Sequence, residues 1–172
     1  MVRRKPRPGD IHPVSPADVR RFLEFVPPSY VHGLRSIEMK ARSGEIGWPF
    51  GRYLIRDKRI ELFSCPPRVW AFHQPLRTLE SELRAWGAVV TSTSRSGTGL
   101  SVEWRDPQDL AIYYMEVLFH ELGHHRVHHY KASRPMPGIR RRHERLADAH
   151  ARKIWAAFVR RTMQETGQAP SA

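Results

Sequence analysis

Alternating polar and apolar residues predict a small sheet in the first two thirds of the chain. Residues 36–40 alternate in this way, and the runs 52–55 and 59–63 lie on either side of a short polar turn. Alternation is typical of a half-buried strand, because successive side chains point to opposite faces of a sheet. Residues 88–93, which include a valine pair, and residues 99–104 are predicted to form a further hairpin. Together these segments predict a small, largely antiparallel sheet.

Apolar side chains spaced three and four residues apart predict helices between these strands. Ser15 is followed by Pro16 and Asp18, the pattern of an N-cap that starts a short helix. Residues 75–86 carry leucines and a tryptophan at helical spacing, and Gly87 then ends that helix. Helices and strands are therefore mixed along the chain, as in an α+β fold.

The longest apolar segment predicts a central, buried helix. Asp106 caps it with Pro107 at the first position, and the run 110–122 is apolar almost all round. The exceptions in that run are Glu116, His120 and Glu121. A loop rich in proline at residues 134–138 separates it from a last helix over about residues 139–163. Polar side chains on so apolar a helix need partners, because burying them alone is costly.

The polar residues of the central helix form the motif His120-Glu121-Leu122-Gly123-His124. Two histidines at i and i+4 project from one face of a helix, one turn apart, so both imidazoles can reach one metal ion. The intervening glutamate points aside and can take a proton from a water at the metal. We therefore expect one Zn²⁺ ion, held by His120 and His124, with Glu121 as the catalytic base.

The last helix supplies candidates for the remaining roles. Catalytic zinc usually has three protein ligands and one open position. Glu144 lies within the apolar stripe of the last helix, where a carboxylate needs a cation, so we expect it to be the third ligand. Asp148 follows one turn later and is expected to accept a hydrogen bond from a ligating histidine. Hydrolysis through a tetrahedral intermediate also needs a group that stabilises the oxyanion. The candidates are Tyr113, Tyr130, His143 and His150.

With this motif, a gap of nineteen residues, Glu144 and then Asp148, the chain resembles the gluzincin metallopeptidases. The segment from Glu144 to Asp148 is also similar to the second motif of the ImmA/IrrE-type family. The resemblance implies a zincin-like domain, in which a small, largely antiparallel sheet packs on the HExxH helix and a C-terminal helix carries the third ligand. It further implies a single zinc ion, attack of an activated water on a peptide carbonyl, and cleavage of an intracellular regulatory protein such as a repressor.

Length and composition favour a single domain inside the cell. At 172 residues the chain suits one domain, predicted over 14–165, with a flexible basic arm at 1–13 and a flexible tail at 166–172. The single cysteine, Cys65, cannot form an internal disulfide, and no apolar run approaches the ~18 residues of a membrane span. No apolar segment follows the N-terminal basic residues as it would in a secretory signal. These features predict a cytoplasmic protein with no membrane partner.

The charge of the chain leaves other functions open. Lys and Arg total 29 against 17 Asp and Glu, a net charge of +12, and such a field attracts polyanions. Residues 140–142 and Arg145 are expected to form a solvated basic face with at most weak nucleic-acid contact. One alternative is a DNA-associated protease resembling the SprT-like kind, with His143 or His150 as third ligand. The other is a non-catalytic, zinc-stabilised binding module in which Glu121 has no role.

Three smaller expectations concern the surroundings of the motif. The strand at 99–104 is expected to offer a free edge to an extended peptide substrate. Gly123 is expected to be a contact between packed helices. His125, His128 and His129 are expected to form a solvated edge or an outer layer around the ligands.

Overall fold

A computed structural model describes residues 2–42, 50–67, 69–72, 77–92, 100–130 and 139–166. Its strands are β1 (Val2–Arg3), β2 (Ser36–Lys40), β3 (Gly51–Leu54), β4 (Arg59–Phe63), β5 (Val69–Phe72), β6 (Val89–Ser92) and β7 (Leu100–Glu103). Its helices are α1 (Pro16–Leu23), α2 (Pro28–Val31), α3 (Arg77–Ala85), α4 (Pro107–Tyr130) and α5 (Ile139–Thr166). The predicted tail lies outside the described residues beyond Thr166. None of the described helices has the length and apolar character needed to cross a membrane.

The strands form two small sheets. The first has the order β1-β2-β4-β3, in which β2 is parallel to β1 and β4, and β3 is antiparallel to β4. The second has the order β5-β7-β6 and is antiparallel. The α+β class is confirmed, but the first sheet is mixed rather than largely antiparallel. Its strand β4 inserts between β2 and β3, and the alternation of side chains shows which face is buried, not which strand is the neighbour.

Strand β7 lies in the middle of its sheet, between β5 and β6. The expectation that residues 99–104 present a free edge is therefore wrong, because neighbours on both sides occupy the backbone hydrogen bonds of β7. The sequence gives no clear sign of β5, whose four residues follow a proline pair and are too short to show a period. Trp70 of β5 is fully buried and donates a hydrogen bond to the Pro66 carbonyl oxygen at 2.8 Å.

The N-terminal segment is held against the first sheet. Strand β1 pairs with β2, and an antiparallel bridge joins Ile11 to Cys65. Asp10 is buried and accepts a hydrogen bond from Arg42 Nε at 2.7 Å. The prediction of a flexible arm over residues 1–13 therefore does not describe residues 2–12. Proline and arginine content indicated a solvated segment, whereas backbone pairing with distant strands leaves no mark on local composition.

Helix α4 forms the centre of the core. Its N-cap is as predicted, since the Gln108 backbone N–H donates to Asp106 Oδ1 at 2.7 Å. It contacts α5, α2, β3 and β4, with its closest packing against α5. Its fully buried side chains include Leu110, Tyr113, Tyr114, Met115, Leu118, Phe119 and Leu122. Because other elements surround this helix, most of its polar groups face protein or a cleft instead of open solvent.

Gly123 allows α4 and α5 to approach closely. A Cβ atom at this position would lie 2.5 Å from the Ala147 carbonyl oxygen and 2.8 Å from Ala147 Cα. Both atoms belong to the α5 backbone, which cannot rotate away as a side chain can. The expectation that Gly123 is a packing contact is confirmed, and Ala147 is the facing residue.

Strand β3 lies against α4 for a similar reason. A Cβ atom on Gly51 would lie 2.8 Å from Val117 Cγ1 and 3.2 Å from Glu121 Cγ. Because β3 is the last strand of its sheet, one of its sides has no partner among the described strands. Strand β3, the edge strand of its sheet, is thus next to the glutamate of the HExxH motif.

A buried ion cluster on the sheet ties β3 to its neighbours. Glu61 of β4 is fully buried and accepts hydrogen bonds from Lys40 of β2 and from Arg52 of β3, the latter at 2.7 Å. Arg59 Nη2 also lies 3.3 Å from Glu61. One carboxylate therefore links three strands, and it does so with the charge compensation that a buried anion requires.

Substitution of Gly123 tests the helix contact. We expect Gly123→Ala to lower the free energy of unfolding by about 1–3 kcal/mol, because overpacking outweighs the ~1 kcal/mol that alanine gains over glycine in a helix. Urea unfolding measures the difference, with Gln108→Ala at the exposed start of α4 as surface control. A Gly123→Ala protein as stable as the wild type would contradict the close contact.

Substitution of Glu61 tests the ion cluster. Burial opposes ionisation of this carboxyl, but hydrogen bonds from Lys40 and Arg52 outweigh it and lower the pKa of Glu61 from its ordinary value of 4.5. A lowered pKa stabilises the folded state above that ordinary value, and the contribution is lost as the pH falls through the folded-state pKa. We therefore expect Glu61→Gln to cost about 2 kcal/mol at neutral pH and less in acid.

Urea unfolding of the wild type and of Glu61→Gln at a series of pH values measures this difference. Glu80→Gln, an exposed acid on α3 that pairs with Arg84, is the matched control. A cost that stays constant down to about pH 3.5 would show that the charge of Glu61 contributes nothing.

Candidate metal centre

Three side chains from α4 and α5 converge on one point. His124 Nε2 lies 3.0 Å from His120 Nε2. Glu144 Oε2 lies 3.3 Å from His124 Nε2 and 3.5 Å from His120 Nε2. Among the described residues, these three form the group of His, Cys, Asp and Glu side chains able to hold a metal ion. The two helices thus bring together the residues predicted as ligands.

The dimensions of this triangle suit a tetrahedral metal. Zinc bonds to nitrogen and oxygen are about 2.0–2.2 Å long, so ligand atoms around a tetrahedral ion are about 3.3 Å apart. The three separations here run from 3.0 to 3.5 Å. Two imidazoles and one carboxylate are a donor set of catalytic zinc, with a fourth position left for water. The residues present therefore fit a zinc ion in both chemistry and spacing.

Asp148 orients one of the two imidazoles. Its Oδ1 lies 2.9 Å from His120 Nδ1, where it accepts the ring proton and leaves the Nε2 lone pair facing the metal position. The pKa of His124 is lowered to about 4, mainly by burial and also by the neighbouring His120 and His128, while the charge of Asp148 acts in the opposite direction. The lowered pKa of His124 favours the neutral imidazole, which is the form that binds metal, at neutral pH.

Glu121 lies beside the ligands in a buried position. It is 7 % exposed, and burial is the main cause that raises its pKa to about 7. His120 and the backbone N–H of Tyr53 act in the opposite direction, and the charge of Glu144 adds to the rise. A carboxyl group with this pKa exchanges protons readily near neutral pH.

Two of the other candidate histidines have partners elsewhere. His150 Nδ1 and the Tyr30 hydroxyl form a hydrogen bond of 2.9 Å. The His143 ring packs edge-on against His128, with ring centroids 4.8 Å apart. Neither belongs to the ligand triangle. The geometry therefore favours Glu144 over a histidine as third ligand, although the Glu144 side chain is 53 % exposed and stands at the edge of its apolar stripe.

One of the two tyrosine candidates, Tyr113, lies away from the ligand triangle. Tyr113 precedes His120 by seven residues, which is about 10 Å along the helix axis. Its side chain is buried and lines a cleft beyond the ligands. The side chain of Tyr130 lies outside the described part of the chain.

His125 is a structural residue that the sequence placed wrongly. It was expected at a solvated edge or in an outer layer, but it is 1 % exposed. Its Nδ1 lies 3.0 Å from the Tyr53 hydroxyl on β3, and its Nε2 lies 3.0 Å from the His32 carbonyl oxygen. Its burial lowers its pKa, so the ring is neutral and bridges α4 to β3 and to the segment after α2. The helical period shows correctly that His125 lies on a different face of α4 from His120 and His124. It does not show that β3 covers this face and buries His125.

A cleft of about 470 Å³ opens beside the ligand triangle. Its described lining residues are Phe50, Gly51, Glu82, Trp86, Tyr113, Glu116, Val117, His120, Glu121, Asp148 and Arg152. From the sequence, Glu116 was expected only as a polar exception and Trp86 only as part of a helical apolar pattern, and neither Glu82 nor Arg152 was singled out. Glu82 lies on α3 with Trp86 just after it, whereas Arg152 lies on α5, and no local pattern indicates that they share a cavity.

The basic face predicted at the start of α5 is exposed where it is described. Arg142 and Arg145 are both exposed there. The side chains of residues 140 and 141 lie outside the described residues. The basic face is therefore available to solvent on the outside of α5.

Comparison with known proteins identifies no relative of this chain. Models of protein families, curated proteins and solved structures all give no match to this chain. Its function must therefore be inferred from the site.

Zinc binding tests the ligand set. We expect purified wild type to bind one equivalent of zinc and Glu144→Ala to bind it much more weakly. Asp148→Asn should lose about 10- to 100-fold in affinity, because it no longer fixes the His120 ring. Elemental analysis and competition with a coloured chelator measure both quantities, with His143→Ala as matched control on α5. Zinc lost in His143→Ala and retained in Glu144→Ala would reverse the assignment.

Proposed function

We propose that this protein is a zinc-dependent metallopeptidase. The observation that supports this most strongly is the triangle of His120, His124 and Glu144, with sides that suit tetrahedral zinc and a buried Glu121 next to it. A purely structural zinc site usually closes all four positions with protein ligands. Here the described residues offer three ligands, and one of them, His120, lines an open cleft together with Glu121, as a catalytic site requires.

The chain supplies a base and an oriented ligand to this reaction. When bound, zinc acts as a Lewis acid that lowers the pKa of water and polarises a carbonyl group. Glu121 accepts the proton of the attacking water and passes it to the leaving amine, for which a pKa of about 7 is well suited. Asp148 keeps the Nδ1 proton on His120 and so maintains the ring in its ligating orientation.

The position of β3 favours a peptide as substrate. This strand is at the end of its sheet, and Gly51 places it against Glu121. An edge strand offers backbone donors and acceptors to an extended chain, which then runs past the base and the ligands. Pairing with an extended peptide substrate, which was expected of residues 99–104, is thus better suited to β3.

The identity of the substrate rests on the resemblance to ImmA/IrrE-type proteins. It makes an intracellular regulatory protein the expected target, in keeping with the cytoplasmic location that composition predicts. Nucleic-acid contact through the exposed arginines of α5 would add to this function and leave the chemistry unchanged.

Substitution of the base tests catalysis separately from metal binding. We expect the zinc-loaded wild type to cleave a mixture of peptides digested from a whole proteome, as detected by mass spectrometry. Glu121→Gln should retain one equivalent of zinc and lose activity by at least about 10³-fold, since the glutamine amide cannot take the proton. Removal of the metal with a chelator should abolish cleavage, and added zinc should restore it.

The matched control is Glu80→Gln, which makes the same chemical change on the surface of α3. Cleavage by Glu121→Gln at the wild-type rate would contradict a role for this base. Zinc binding without cleavage of any peptide in the mixture would favour the non-catalytic binding module.

A further inference from the structure

The cleft beside the metal centre is acidic, although the chain as a whole is strongly basic. Its described lining includes the carboxylates of Glu82, Glu116, Glu121 and Asp148, but Arg152 is the one described lining residue with a permanent positive charge. The net charge of the chain is +12. The negative charge of the cleft is therefore a local feature, produced by α3, α4 and α5 where they meet.

Two of these carboxylates have no partner of their own. Glu121 and Asp148 serve the metal centre, whereas Glu82 and Glu116 form no ion pair or hydrogen bond among the described residues. Glu82 lies exposed at the rim, and Glu116 is half-buried one turn before His120. The pKa of Glu116 is raised to about 7, mainly by burial and also by the charges of Glu82 and Asp148, while His120 and Arg152 act in the opposite direction. These two side chains thus offer carboxylate oxygens to the cleft that no described cation contacts directly.

The hydroxyl group of Tyr113 points to a ligand independently of the acids. This side chain is 2 % exposed and lines the cleft, where its nearest charged neighbours are Glu82 and Glu116. Within the described part of the chain its hydroxyl has no hydrogen-bond partner. The Tyr113 hydroxyl is not one of the fully enclosed polar atoms without a partner, so it opens into the cleft that its side chain lines. It is therefore free to form a hydrogen bond with a polar group that enters the cleft.

The walls of the cleft suit a long side chain with a charged end. Phe50 and Trp86 form apolar surface there, and Trp86 is held edge-on by Trp155 with ring centroids 5.1 Å apart. Aromatic faces accept both the methylene stem and the charged head of arginine or lysine. Beyond these aromatic walls, Glu82, Glu116 and Tyr113 provide hydrogen-bond acceptors for the charged end of such a side chain.

We propose that Glu82, Glu116 and Tyr113 form a specificity pocket for an arginine or lysine side chain of the peptide substrate. This inference rests on the proposed peptidase function, which it narrows to substrates with a basic residue near the cleaved bond. Tyr113 lies about 10 Å along α4 from His120, a separation that a residue next to the cleaved bond can bridge with its side chain. A guanidinium donates to both carboxylates and to the phenol oxygen in a planar arrangement.

Binding of a matched peptide pair tests the pocket without relying on turnover. The two blocked peptides differ at one position, with arginine in one and its neutral analogue citrulline in the other. Zinc-loaded Glu121→Gln protein binds them without cleavage, and isothermal titration calorimetry measures the affinities. We expect the arginine peptide to bind about tenfold tighter, and we expect Glu116→Gln or Glu82→Gln, added to this protein, to remove most of that preference.

Glu80→Gln is the control, because it removes an acid from the same helix as Glu82 outside the cleft. Glu80→Gln should leave the preference for the arginine peptide unchanged. If the preference disappeared in this variant, only the overall charge of the protein would matter. Glu116→Gln should fold, since it replaces a half-buried carboxyl without a cation by a neutral side chain of the same size. Equal affinities for the two peptides, or binding of neither, would overturn the pocket.

The same peptides separate this inference from the proposed function. Cleavage of both by the wild type at equal rates would overturn the pocket and leave the peptidase intact. Preferential binding of the arginine peptide without cleavage of either would support the pocket and count against the peptidase. Preferential binding together with faster cleavage of the arginine peptide would support both.

Discussion

The close contact between Gly123 and Ala147 is the constraint on which the metal centre depends. Without a side chain at Gly123, the α4 and α5 backbones approach to a distance that no Cβ atom would permit. Glu144 and Asp148 lie on either side of Ala147 along α5, one reaching the ligand triangle and the other the Nδ1 atom of His120. A wider gap between the helices would move both carboxylates away together, because one rigid helix carries them.

Burial of α4 explains much of the chemistry of the site. The helix has neighbours on most sides, so its charged forms are poorly solvated. For Glu116 and Glu121 burial raises the pKa, and for His124 burial lowers it. All three shifts favour the neutral form, as desolvation must. Burial therefore accounts for a neutral imidazole at His124 and for the pKa values of about 7 at Glu116 and Glu121.

The first sheet is the third element at the site, after α4 and α5. Glu61 joins three of its strands, and Gly51 lets the edge strand β3 lie directly against Glu121. His125 completes this attachment through the Tyr53 hydroxyl. His125, which directly follows the HExxH motif, thus holds β3 in place and is not part of the ligand triangle. The HExxH motif, Glu144 and the edge strand β3 are thus brought together by contacts to one helix, α4.

The sequence by itself determined the local features: the N-caps at Ser15 and Asp106, most strands, the central helix and the face that His120 and His124 share. These depend on period and on residues close in the chain, so they are visible in the order of amino acids. It also indicated Glu144 and Asp148, because a second helix with an acidic pair at i and i+4 is again local. Only the tertiary structure decided the parallel pairing of β2 with β4, the edge position of β3, the burial of His125 and the meeting of Glu82 with Glu116. Those depend on which surfaces pack together, and packing joins residues whose separation in sequence carries no signal.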